Sequence, residues 1–393
     1  MKDTYIHPVV KVMLREWHRL HHNAALLFVT FIGPGLAFVL IALIFSANVP
    51  HDLPVGIVDR DHSTFSRQIA RMINASSIAK IHCDCNSLDE ARQSMENGSI
   101  DAIIYIPEGF ENDIFRSVPP RVAVYINNAN VLKGGLLNSG IRKVMSSFSA
   151  GIKLQVKMKS GLTQEQAMNR IMPVQLRQKI LFNPYTSYSY YLTAALLGIF
   201  LITFVLLGTI YSIGDELYHG TGPQWLRAGD KKFLLSLMGK ILPYTLIYFC
   251  WSIVLNYILF YQLGMPLHGK FLLILLSELL LILSYQSMAI AFVGFTSNMR
   301  LSLSLGSAYA MLALTYSGLT FPVAGMSTFS QAFARIFPFT YWIKILISQS
   351  LRGEPVHHVI IPILFLLIFI GFGLLFVPRF QHVLMKRNRW GKI

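Results

Sequence analysis

The chain has 393 residues, of which 53% are hydrophobic and only 13% charged, and its mean hydropathy is +0.50. Soluble globular domains carry about 25% charged residues, so this deficit argues against a soluble enzyme and for an integral membrane protein. The formal charge of +15 comes with no nucleic-acid-binding motif; Lys and Arg clustered beside membrane spans, where they fix orientation, account for it.

In chain order, "VVKVMLREWHRLHH" places Val9, Val10, Met13, Leu14, Trp17 and Leu20 on one helical face, with Lys11, Arg15, His18, Arg19 and His22 on the other. This is the pattern of a helix lying in the membrane interface, and it assigns residues 1–23 to a cytoplasmic elbow helix. Residues 24–47 follow without a charge and are long enough to cross a hydrocarbon core, with a bend expected at Gly33–Gly35. The stretch has no A-x-A cleavage site and reads as a retained anchor.

Residues 48–186 change character. "LPVGIVDRD" predicts a strand over Val55–Val58, and "STFSRQIARMI" a helix capped by Ser63. "IAKIHC" predicts a second strand, and "SLDEARQSMENG" a helix opened by Ser87 with Glu90 at the capping-box position. "IDAIIYIP" and "RVAVYIN" supply two further strands, and one long helix runs from Val131 to about Lys159. Alternating strands and helices define a small α/β domain. "HCDC" (His82–Cys85) lacks the C-x2-C spacing and second pair of a metal site, so the reading here is two half-buried residues near a strand end.

Beyond this domain, apolar runs predict spans at 190–213, 241–263, 271–295, 301–319 and 359–377. With residues 24–47 that makes six. The basic N-terminal segment (Lys2, Lys11, Arg15, Arg19) and the acid-free tail (Arg379, Lys386, Arg387, Arg389, Lys392) both face the cytoplasm by the positive-inside rule, and an even number of spans agrees. The fold class is therefore a polytopic α-helical membrane protein with six transmembrane helices and an α/β extracytoplasmic domain between spans 1 and 2; residues 187–393 hold spans 2–6. Lys240 stands at the entrance of the third span, with its amine expected to snorkel toward headgroups. Glu278 is the one carboxylate deep in a span; such a charge costs about 2.5–3.5 kcal/mol, so it should face a partner or a cavity.

Residues 320–352 pose a separate problem. Pro322 and Pro338 each remove a backbone donor inside an otherwise apolar run, and such backbone survives at membrane depth only where protein or water satisfies it. The expected solution is a re-entrant pair of short helices, the first starting at Ser327 or Thr328 and the second at "PFTYWIKILISQSL". Phe337, Phe339, Tyr341 and Trp342 are expected in an outer interfacial belt. Motifs for a phosphate-cradling loop, a zinc protease or a serine hydrolase do not occur, so no catalytic residue and no metal site is assigned.

Four stretches in order carry a resemblance: "PVGIVDRDHSTFSRQI", "DELYHGTGPQWL" (Asp215–Leu226), "LMGKILPY" (Leu237–Tyr244) and "SGLTFPVAGMSTFSQAFARIFPFTYW" (Ser317–Trp342). Together with the order of elements they resemble an ABC-2 type exporter permease over nearly the whole chain. His219 departs from the family's E-x-x-R-G-T segment, which has Arg at that place. The resemblance implies a bacterial inner-membrane efflux subunit that pairs with a second permease subunit, identical or different. A cytoplasmic ABC ATPase dimer would use ATP and magnesium, while this chain would hold no cofactor. Some branches add a periplasmic membrane-fusion adaptor, and the large outer domain resembles the branch that exports drugs or small toxic solutes. The loop 214–233 would then couple to the ATPase through Glu216, His219, Gly220, Thr221, Trp225, Leu226 and Arg227, with Lys231 and Lys232 adding charge. Lys240, Pro243 and Tyr244 would form the entrance of span 3. Pro322, Phe337, Pro338 and Tyr341 would border an outer gate, and Glu278 would face the translocation path. Two other classes stay open on the residues alone: an ion-coupled carrier, for which one intramembrane Glu is few, and an anchored extracytoplasmic binding protein, for which six spans are many.

Overall fold

The computed structural model describes residues 7–46, 50–116, 118–159, 161–171, 181–183, 187–318 and 321–385. The chain divides into two compact units, one of Met1–Asn48 with Ile180–Ile393 and one of Val49–Lys179. Five helices among the described residues are long and apolar enough to cross a membrane: Ala24–Ile44, Leu192–Tyr218, Phe233–Gln262, Phe271–Thr296 and His357–Met385.

Helix α1 (Pro8–His22) starts at a proline, whose missing N–H costs nothing in a first turn. Its buried stripe is Val12, Glu16 and Leu20, one residue every four, while Val10, Leu14 and Trp17 are exposed apolar side chains. Asn23 ends it and caps the next helix by accepting from the Ala25 and Leu26 amides at 3.0 and 3.2 Å. That span is built from α2 (Ala24–Leu27), a π turn (Phe28–Ile32) and α3 (Gly33–Ile44). The irregularity expected at Gly33–Gly35 thus falls one turn earlier. Pro34 cannot donate to the carbonyl of Thr30, and the Trp251 indole N–H donates there instead at 2.9 Å.

In the second unit, β1 (Leu53–Asp59), α4 (Thr64–Asn74), β2 (Ala79–Asp84), α5 (Leu88–Glu96), β3 (Ala102–Ile106), α6 (Phe110–Phe115) and β4 (Ala123–Ile126) precede the long α7 (Val131–Lys159) and α8 (Gln164–Ile171). The sheet order is β2-β1-β3-β4, with β4 antiparallel to β3 and the other pairs parallel. Ser63 and Ser87 cap α4 and α5 through the amides of Ser66 and Glu90. One face of the sheet packs Val55, Ile57 and Ile104 against Ile69 and Ile73 of α4 and Leu137, Ile141 and Phe148 of α7. The other packs Val58, Ile103 and Cys85 against Ala91 of α5 and Ile100.

The membrane unit resumes with α9 (Tyr188–Tyr218), the short α10 (Gly222–Ala228) and α11 (Phe233–Asn256), which a π turn extends to Gln262. Then come α12 (Phe271–Thr296), α13 (Met299–Tyr316), α14 (Thr328–Ala334), α15 (Pro338–Ile347), α16 (His357–Leu374) and α17 (Val377–Met385). Helix α12 is central: α9, α11, α13, α15, α16 and α17 all pack on it. The run expected as a fifth span, 301–319, forms α13, which lies outside the five long apolar helices because Arg300, three serines and Gly306 dilute its hydropathy. Gly306 lets α13 approach Ile210 and Leu206 of α9.

The broken segment forms two short helices, the first capped by Ser327 through the Ser330 amide. Three side-chain hydroxyls satisfy the carbonyls freed at the break. Thr340 donates to Ala334 at 3.0 Å, Tyr341 to Arg335 at 3.1 Å and Tyr309 to Ile336 at 2.6 Å. The aromatic belt expected here is corrected. Phe337, Phe339, Tyr341 and Trp342 are all buried, Phe339 and Trp342 against Gly198 of α9, where any side chain would collide. These rings fill space between helices instead of seeking headgroups.

Thr340→Val should leave the buried Ala334 carbonyl unpaired. We expect a loss of about 1 kcal/mol, read as a lowered unfolding temperature of the detergent-solubilised chain.

Candidate functional site

The membrane unit buries a cluster of opposite charges where α1, α9, α10 and α11 converge. It begins with Glu16, which the four-residue stripe of α1 directs inward and which is fully buried. Gly239 of α11 makes the approach possible: a Cβ there would come within 2.6 Å of the Val9 carbonyl oxygen. Lys240, next in sequence, reaches Glu16 Oε1 at 2.7 Å and Glu216 Oε1 at 2.9 Å. Glu216, also fully buried, sits near the end of α9. Arg15 forks onto it, Nη1 to Oε1 at 2.7 Å and Nη2 to Oε2 at 3.1 Å. Arg19 bonds Glu16 Oε1 at 3.0 Å and also reaches Glu216 and Asp215.

Three cations (Arg15, Arg19, Lys240) therefore meet three carboxylates (Glu16, Asp215, Glu216), and the cluster is formally neutral. Burial would lower the pKa of Arg19, but the Glu16, Glu216 and Asp215 carboxylates outweigh it and hold the guanidinium above its ordinary value. Tyr244 approaches Glu16 Oε2 at 3.4 Å, and the Lys240 amine lies 4.9 Å over the Trp225 ring.

The residues expected to contact an ATPase separate into two groups. Gly220, at a left-handed φ of 66°, ends α9 and turns the chain so that Thr221 donates to Glu216. Trp225 and Leu226 are buried; the Trp225 indole donates to the Ser236 carbonyl at 3.0 Å and its ring packs near Phe233 and Phe380. Glu216, Trp225 and Leu226 thus hold α10 to its own chain. His219, Gln224, Arg227, Lys231 and Lys232 remain exposed, with His219 Nδ1 3.0 Å from Asp215 Oδ1.

The snorkelling expected of Lys240 is corrected. Helix α11 begins at Phe233, not near 241, so Lys240 lies two turns inside it with its amine wholly enclosed by carboxylates. Pro243 lines an apolar groove with Met13, Leu14 and Trp17 of α1. In the broken segment, Phe337 packs on Tyr309, Tyr316 and Phe333, whereas Tyr341 stacks on Phe365 at 4.5 Å; Pro338 opens α15, and Pro322 precedes a single 3-10 turn at Val323–Gly325. Glu278 belongs to neither place: its Oε2 accepts from Asn256 of α11 at 2.8 Å. Glu16, Arg15, Arg19 and Asp215 were not foreseen as site residues. The usable signal was a single acid on the stripe Val12–Glu16–Leu20 of an otherwise basic helix.

Long apolar helices in one packed unit, with a neutral ion cluster at one convergence of helix ends, define a multi-pass helical membrane protein. The family model described as ABC-2 family transporter protein matches residues 24–377, and the chain belongs to that family. It is an ABC-transporter permease, a transport membrane subunit. No individual curated protein matches the chain. The family match includes Asp215, Glu216 and Lys240 and begins beyond α1.

Removing one partner of a buried ion cluster leaves an uncompensated charge, at a cost of about 3–5 kcal/mol. Lys240→Met should therefore destabilise the purified chain by about that much in thermal unfolding. Adding Glu16→Gln restores neutrality and should recover part of the loss, a coupling that a double-mutant cycle measures.

Proposed function

We propose that the chain is the permease subunit of an ATP-driven exporter that moves drugs or other small amphipathic solutes out of a bacterial cell. Six spans cross the inner membrane in this reading, with α13 (Met299–Tyr316) as the fifth; both termini are cytoplasmic and the α/β unit lies outside. A cytoplasmic ABC ATPase dimer burns the ATP and holds its magnesium, and a second permease subunit completes the path.

One observation carries the proposal. Glu216 bonds at once to α1 through Arg15 and Arg19, to α11 through Lys240, and to the start of α10 through Thr221. A push on α10 therefore moves the ends of three helices together. The exposed Arg227, Lys231 and Lys232 supply charge-assisted contacts for an acidic groove on the ATPase, while the buried Trp225 transmits force inward. ATP binding favours the closed ATPase pair and, through this linkage, the outward-facing permease, a population shift by a ligand with unequal affinity for two states. The re-entrant pair α14–α15 forms the outer gate.

Co-expression with the cognate ATPase should yield vanadate-sensitive hydrolysis in reconstituted membranes. The double change Arg227→Glu and Lys231→Glu, both on exposed positions, should lower transport-stimulated hydrolysis at least tenfold without changing the amount of folded permease. Hydrolysis and transport that are indifferent to both changes would move the docking site elsewhere. Transport that continues without ATP and stops when the proton gradient collapses would favour an ion-coupled carrier.

A further inference from the structure

Cys83 and Cys85 lie near the end of β2 with their sulfurs 2.7 Å apart. In a regular strand, side chains two residues apart share a face but stand about 6.6 Å apart along it. Here the β1–β2 pairing slips: Val55 faces Ile81, yet Gly56 faces Cys83, so His82 is bulged out. Beyond Asp84 the strand ends, and the Cys85 amide is pinned to the Ile57 carbonyl at 2.8 Å. Gly56 leaves the space the sulfurs need. A Cβ there would come within 3.2 Å of Cys83 Sγ and 2.7 Å of Ile100 Cδ1.

A metal ion does not explain this geometry. Two thiolates on a tetrahedral zinc, each about 2.3 Å from the ion, stand about 3.8 Å apart. Among the described residues, no group of three potential ligands is assembled. The two thiols differ in access: Cys83 is half-buried and Cys85 is buried. Burial, followed by the contact with Cys83, pushes the Cys85 thiol up to about 12, so Cys83 is the sulfur that meets an incoming reagent.

We propose that Cys83 and Cys85 form a thiol–disulfide exchange site that closes into an internal disulfide. The proposal rests on the reading above that the α/β unit lies outside the cytoplasm, where disulfides persist. Cys83 gives up its proton and, as thiolate, attacks one sulfur of an incoming disulfide R–S–S–R; the S–S bond breaks and the expelled RS⁻ takes up the released proton to leave as RSH. Cys85 then displaces the second R–S group from Cys83, its proton leaving with that RSH. The incoming disulfide is reduced to two thiols and the cysteine pair is oxidised. A ring spanning a single intervening residue removes little chain entropy, so its role is chemical and reversible rather than that of a staple.

The test uses the full-length chain, purified in detergent, treated with oxidised glutathione and then blocked with a maleimide. The tryptic peptide Ile81–Arg92 contains both cysteines and excludes Cys250. It should carry neither label and be two hydrogens lighter than the reduced peptide. Cys85→Ser should retain one glutathione on Cys83, because the sulfur that resolves the mixed disulfide is gone. A wild-type peptide carrying two maleimides, or glutathione that stays on Cys83, overturns the proposal. Topology is read separately by alkaline phosphatase fused after Gly98, with the peptide trapped in acid-quenched cells. An inactive reporter alongside intact exchange in the purified chain defeats the compartment reading and leaves the site standing. An active reporter alongside reduced cysteines in cells overturns the site.

Discussion

The convergence of α1, α9, α10 and α11 depends on Glu216 being a paired carboxylate out of contact with water. A buried ion loses several kcal/mol of hydration, and only close, well-oriented partners return it. Glu216 has them from three directions: a forked guanidinium, a second guanidinium and an ammonium, with a hydroxyl besides. Neutrality comes from Glu16 and Asp215, which balance the remaining positive charge. Such a cluster contributes geometry more than stability. Apolar residues could fill the space at similar free energy, but they would not fix the rotation of α1 or the reach of α10.

The broken segment α14–α15 solves a different problem by the same rule. Breaking a helix among apolar neighbours frees carbonyls that lipid cannot satisfy. Thr340, Tyr341 and Tyr309 supply the hydroxyls, and the rings of Phe337, Phe339 and Trp342 fill the volume around them. Thr30 shows the principle within a span, where Pro34 removes a donor and Trp251 of a neighbouring helix replaces it. At Pro34 and Pro338 the freed carbonyls, Thr30 and Ala334, each accept from a side chain of another helix.

What the sequence made legible was local. Apolar runs at 24–47, 190–213 and 271–295 announce the long helices Ala24–Ile44, Leu192–Tyr218 and Phe271–Thr296, and Ser63, Ser87 and Ser327 mark helix starts that the structure places at Thr64, Leu88 and Thr328. The candidate site was legible only on one side. Glu216 and Lys240 stood out, but Glu16, which Lys240 also holds, lies 224 positions before it, and one acid in a basic helix reads as a solvated residue. Lys240 was misplaced because its charge suggests a helix boundary that the structure moves back to Phe233, and nothing near it in sequence shows the carboxylates it meets. The aromatics 337–342 failed similarly: interfacial belts and packed cores draw on the same rings, and only the approach of Gly198 decides between them.

The central claim is that Glu216 locks α1 to the ends of α9 and α11. Hydrogen–deuterium exchange on the full chain in lipid nanodiscs tests it most directly, comparing the parent protein with Glu216→Gln. The account requires the amides of 12–22 to lose protection sharply in the variant while those of 53–106 keep theirs. Equal protection of α1 in both proteins would show that its apolar stripe alone holds it, and the ion cluster would lose its place at the centre of the mechanism.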